Sequence, residues 1–197
     1  MARPGMLGYV RETHPGYLAG EFHRFLCAEL EEFSRAVAAK ESPRLILAAP
    51  PQHGKSLLVS QVLSVFHAAH NPDHHVVISS YGADLAEDHL RKARLLLAHP
   101  STLTRWPHLK PGLSDRLLVH RADIDEVPGG GSIRAIGVGG GLSGKPATLL
   151  VMDDLLKDRI EADSPTTREH VWQWMTDVAF PRIPDGGGAL LMATRWH

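Results

Sequence analysis

Ala49-Pro50-Pro51-Gln52-His53-Gly54-Lys55-Ser56, APPQHGKS, ends like a loop that cradles phosphate but does not begin like one. The phosphate-loop pattern is G-x-x-x-x-G-K-[ST], and Ala49 stands where the first glycine belongs. The flanking residues decide the reading. Leu45 to Ala48 (LILA) reads as a short apolar strand, and LLVSQVLSVFHAAH after Ser56 reads as a buried helix closed by Asn71-Pro72. Strand, Gly-Lys turn and helix are the context the motif requires; a surface turn holding Gly-Lys-Ser by chance would lack it. In that context Ala49 to Ser56 are expected to form an ATP-binding loop whose backbone N–H groups can cradle the β-phosphate. Lys55 reaches the β- and γ-phosphates, and the Ser56 hydroxyl ligates Mg²⁺. Ala49 is compatible with the loop if its φ stays negative, and Pro50-Pro51 stiffen it.

Such a loop needs a second strand bearing a carboxylate. Leu149 to Asp154 (LLVMDD) supplies one, with four apolar residues leading to two acids at the strand end. That end of a strand is where open α/β sheets bind ligands. Asp153 is the expected Mg²⁺ ligand, directly or through water. Asp154 is the expected general base that orients and deprotonates the attacking water. A further apolar strand, Ala189 to Ala193, ends in Thr194-Arg195, polar groups able to sense whether ATP or ADP is bound.

The remainder fits an α/β class. Residues 1 to about 17 read as an irregular Gly- and Pro-rich arm, and an amphipathic helix spans Gly20 to Lys40. His75–Ser80 reads as a buried strand and Ala83–Ala98 as a helix, with a poorly patterned stretch from about His99 to Ser114. Strands are expected at 116–120 and 132–138, and a helix capped by Ser164 starting at Pro165. Apolar strands alternating with helices predict a mostly parallel sheet flanked by helices. His67-x-x-His70 reads as solvated or capping rather than metal-binding. Trp172 and Trp174 should split between a contact surface and the core.

With 197 residues, 43% hydrophobic and 22% charged, the chain is ordinary in bulk. Its formal net charge is -1, so any nucleic-acid contact must come from a local patch. Cys27 is the single cysteine, which excludes an internal disulfide and a zinc cluster of cysteines. No secretory leader is evident, and no apolar run approaches the ~18 residues of a membrane span, so a soluble intracellular domain is expected.

APPQHGKS, SSYGADLAEDHLRKAR, GVGGGLSGKPATLLVMDDLLKDRIEADSPTTREHVWQWMTD and ATRWH, in that order, resemble the ATPase domain of the large terminase subunit of tailed phages and prophages. The resemblance runs from about residue 20 to the end. It implies a P-loop NTPase of the additional-strand, RecA-like type over residues 20–197, after an arm at 1–19. A nuclease domain normally follows the ATRWH segment, so the chain is read as the motor half alone. ATP and Mg²⁺ are the implied cofactors. The implied partners are double-stranded DNA, the portal protein, the small terminase subunit and further copies of the chain in a ring, with the isolated domain monomeric. The implied location is the bacterial cytoplasm and, transiently, the procapsid portal. By the same resemblance Thr194 and Arg195 form the motif coupling hydrolysis to movement, and Asp154 occupies a catalytic position often held by Glu. Two positions depart from the pattern. Gln52 stands where Arg is common. Gly144-Lys145-Pro146 replaces a G-R-G whose arginine would reach a neighbour's nucleotide. Lys145, a point charge rather than a planar fork, is then the candidate finger, with Arg134 the second. The alternatives are a helicase-like nucleic-acid-dependent ATPase, which would want a second RecA-like domain, and a nucleotide-binding assembly module with weak hydrolysis.

Overall fold

The apolar runs become strands of one sheet. The computed structural model describes residues 5–110, 112, 118–142, 144 and 146–195. Its strands are β1 (Arg44–Ala48), β2 (His75–Ser80), β3 (His120–Arg121), β4 (Ile124–Glu126), β5 (Ser132–Gly137), β6 (Leu149–Asp153) and β7 (Gly188–Ala193). They form a seven-stranded mixed sheet in the order β1-β7-β6-β2-β5-β4-β3. The first five in that order run parallel, and the β4 and β3 strands are antiparallel additions. All five residues of β6 are buried, as a strand covered on both faces must be. Alternation along the strands divides the core. Val76, Ile78, Leu149, Val151 and Leu190 face one side, whereas Val77, Leu150, Met152 and Ala189 face the other.

The first side is covered by α1 (Met6–Thr13), α2 (Glu21–Ala38), α3 (Leu63–His70), α4 (Ala83–Leu97) and α5 (Pro100–Arg105). The second is covered by α7 (Pro165–Trp174), which follows the short α6 (Arg159–Asp163). The N-cap at Ser164 is as expected, its hydroxyl accepting from the Thr167 N–H at 3.3 Å. Trp174 is buried, and its indole donates to the Gly140 carbonyl, whereas Trp172 is 57% exposed.

Two stretches expected to be irregular are ordered. Residues 6–13 form a helix, with Met6, Tyr9 and Val10 fully buried. Tyr9 packs edge-on against Trp106 at 4.9 Å and hydrogen-bonds Thr102 at 2.8 Å. Two turns flanked by Gly and Pro carry too short a period to read, and tertiary packing supplies the helix. Similarly, α5 and a turn of 3₁₀ helix at Pro107–Leu109 replace the unpatterned stretch after His99, with Trp106 buried between them. Of the strand expected at 116–120, His120 alone is seen in β3, and residues 113–117 lie outside the described set.

His67 corrects a further expectation: it is neither solvated nor a cap but fully buried. Its Nδ1 bonds the Ser34 hydroxyl at 2.8 Å, and its Nε2 bonds His74 Nδ1 at 3.1 Å. Burial, reinforced by His74 and His70, pushes its pKa down to about 3. The lowered value makes the sign definite. The unfolded chain takes up a proton as pH falls through about 6.5, and the folded chain does not until about 3. Stability contributed by neutral His67 is therefore present above 6.5 and lost toward 3. Between pH 7 and pH 5 the loss from this residue should be about 2 kcal/mol. Urea unfolding at both pH values should show that difference shrinking by the same amount in His67→Asn. An unchanged difference would assign the acid sensitivity elsewhere.

Candidate nucleotide site

The loop, the acidic strand and the Thr-Arg strand meet at one edge of the sheet. β7 lies between β1 and β6, so the C-terminal ends of these strands stand side by side. Ala49 continues the ladder, donating its N–H to the Ala193 carbonyl at 3.1 Å, and it is absent from the positive-φ residues. The condition that made Ala49 acceptable is thus met. Pro50 to Gly54 are exposed, and the chain turns through left-handed conformations at Gln52 (φ 63°) and Gly54 (φ 70°). A side chain at Gly54 would be strained at that φ, while Gln52 carries such strain already. His53 folds back within the loop, its Nδ1 donating to the Pro51 carbonyl at 2.8 Å. Helix begins at Lys55, passes through a π-helical stretch at Leu57–Val62 and runs into α3, so its first N–H groups face the loop.

Lys55 is 5% exposed, and its ammonium bonds both Asp154 oxygens, at 2.6 and 2.5 Å, and the Thr194 hydroxyl at 2.5 Å. Asp154 Oδ1 also accepts from the Thr194 N–H at 2.9 Å and the Thr194 hydroxyl at 3.1 Å. A left-handed backbone at Asp154, φ 48°, directs its side chain this way. Asp tolerates that region better than most residues, and such outliers gather at functional sites. Chain separations of 99 and 139 residues are closed by these contacts.

Asp153 points to the α3/α4 side and is 1% exposed. Its Oδ2 accepts from the Ser60 hydroxyl at 2.7 Å, with His89 Nε2 3.8 Å away. Its Oδ1 has no hydrogen-bond partner among the described residues. Burial pushes the Asp153 carboxyl up, against the pull of the Ser60 and Ser56 hydroxyls and of His89. His89 is itself pushed down by burial, against the opposing pull of Asp153. A buried carboxylate oxygen without a donor, beside the loop serine, fits a divalent cation that takes one carboxylate, one hydroxyl and otherwise water or phosphate. Among the described residues no cluster of three or more His, Cys, Asp or Glu is placed to hold a metal.

Arg195 is exposed just beyond Thr194. Arg134 lies mid-strand in β5, three residues before the sheet edge, its Nε without a hydrogen-bond partner among the described residues. Lys145 lies outside the described residues. Its neighbours Gly144 and Pro146 line a cavity of about 380 Å³ with Pro181 to Pro184, toward the edge where β6 and β7 begin. Ser60, Gln61 and His89 were not anticipated; for Ser60 and Gln61 the available signal was polar residues about one turn beyond Ser56, and His89 lies on α4 with no such local signal. Comparison with known protein families and with curated proteins finds no match. Among the described residues no helix is long and apolar enough to cross a membrane.

Proposed function

We propose that the chain is the ATP-hydrolysing motor domain of a DNA-packaging terminase large subunit, with a P-loop NTPase fold of the additional-strand, RecA-like type. The observation that carries this reading is the meeting of Lys55, Asp154 and Thr194 at three adjacent strand ends, with β7 interposed between loop strand and acidic strand. In this reading the N–H groups of the loop and first helical turn hold the β-phosphate, and Lys55 leaves Asp154 for the β- and γ-phosphate oxygens. Ser56 and Asp153 would hold Mg²⁺, which supplies neutralising charge to the phosphate oxygens. Asp154, released from the ammonium, accepts a proton from the water whose oxygen attacks the γ-phosphorus, and the bond to the β–γ bridging oxygen breaks to release ADP. Thr194 contacts both Lys55 and Asp154, so it registers their exchange of partners and passes it to Arg195. The work is translocation of double-stranded DNA into a procapsid, in a ring of copies on the portal served by a small terminase subunit, in the host cytoplasm.

Phosphate release from purified protein with and without double-stranded DNA tests the activity, and a chain that turns over no ATP under either condition is not this motor. Arg134, mid-strand in β5, does not lie in the Lys55 cluster of its own chain, as a residue serving a neighbour's nucleotide need not. Activity per molecule should therefore rise with protein concentration, or on assembly with portal and DNA. Lys145→Ala and Arg134→Ala are compared under those conditions: the true finger abolishes the rise and spares ATP binding. Full activity in a dilute monomer, insensitive to both substitutions, would place the catalytic charge within the same chain.

A further inference from the structure

The Asp153 carboxylate is held by Ser60 on one oxygen, while the other has no hydrogen-bond partner within geometric reach among the described residues and only the pull of the nearby Ser56 hydroxyl. Ser60, fully buried in the π-helical stretch, donates to Oδ2 at 2.7 Å. His89, buried on α4, brings Nε2 to 3.8 Å from the same oxygen. Gln61, next to Ser60, sets its amide nitrogen 3.5 Å from His89 Nδ1. With that N–H facing it, Nδ1 is the acceptor and the ring proton sits on Nε2, toward Asp153. Three buried polar side chains from two helices are costly to desolvate and are unnecessary for packing, where apolar residues would serve. Ser60 bonds Oδ2, His89 faces the same oxygen, and Gln61 backs His89; Oδ1 has no hydrogen-bond partner among the described residues, with Ser56 one turn earlier on the helix that carries Ser60.

We infer that Ser60 and His89 are positioning residues that fix the Asp153 carboxylate through Oδ2, so that Oδ1 is presented in one orientation, alongside the Ser56 hydroxyl, to a divalent cation bound with nucleotide. The inference rests on the proposed nucleotide site and concerns how its metal acid is held. Supporting groups of this kind typically set metal affinity by 10- to 100-fold without touching the metal.

The test is Mn²⁺ binding to the full chain saturated with ADP, followed by electron paramagnetic resonance, beside ADP affinity measured in EDTA. Ser60→Ala and His89→Leu should each weaken Mn²⁺ by about 10- to 100-fold while metal-free ADP affinity stays within about twofold. His89→Gln keeps an N–H near the position of Nε2 and should restore most of the Mn²⁺ affinity. Unchanged Mn²⁺ affinity in variants of a wild type that binds Mn²⁺ and ADP overturns this inference alone. So does a parallel loss of both affinities, which marks a merely structural role. A wild type that binds neither ADP nor Mn²⁺ overturns the nucleotide-site reading as well. Should Ser60→Ala fail to fold, the His89→Leu and His89→Gln pair decides.

Discussion

Asp154→Asn should bind ATP at least as tightly as the wild type and hydrolyse it on the order of 10²-fold more slowly, or worse. The slowing is the loss of the general base. The retained or improved affinity follows from the pairing of Lys55, whose ammonium is held by both Asp154 oxygens. A phosphate must displace Asp154 to engage that ammonium, and the neutral amide competes less well. Asn adopts left-handed backbone as readily as Asp, so the φ of 48° at this position is no obstacle. Calorimetric ATP titration and single-turnover hydrolysis measure the two halves separately. A fall in ATP affinity together with rate would show that Asp154 helps hold the nucleotide. If Asp153→Asn gave the slowed-but-bound pattern with metal affinity unchanged, the roles of the two acids would be exchanged.

Lys55→Ala should lose ATP affinity by at least about 10²-fold. Two charge-assisted hydrogen bonds to phosphate are worth about 1.5–3 kcal/mol each, and 1.4 kcal/mol is a factor of ten. The fold should survive, because the Asp154 side chain is 26% exposed and keeps the Thr194 N–H and hydroxyl as partners. Circular dichroism and the same titration distinguish lost binding from lost structure. Unchanged affinity in a folded variant removes this loop from the nucleotide site.

The loop motif and both acids were legible because buried parallel strands read as unbroken apolar runs, and the runs in LLVMDD and ALLMATR break into polar residues at their C-terminal ends. LLVMDD announces both a strand and its functional edge. Ser60, Gln61 and His89 were not legible, since LLVSQVLSV reads as core helix and two serines within it pass as neutral. The contact between Lys55 and Asp154 spans 99 residues, and nothing local encodes it. Nor did LILA disclose its place in the sheet. Its composition reads as covered on both faces, yet Ile46 is 76% exposed on β1, the strand that ends the sheet order.

That edge position has a mechanical consequence. β1 is seamed to the sheet along one side, through five residue pairs with β7, like a cantilever clamped along one margin. A displacement imposed at its tip meets no second strand to share the load. It passes sideways into β7, at Ala193 and then Thr194, before it reaches the rigid centre at β6. Among the parallel strands β1 is thus supported by a neighbouring strand on one side alone, and β7 beside it is the first to feel it bend.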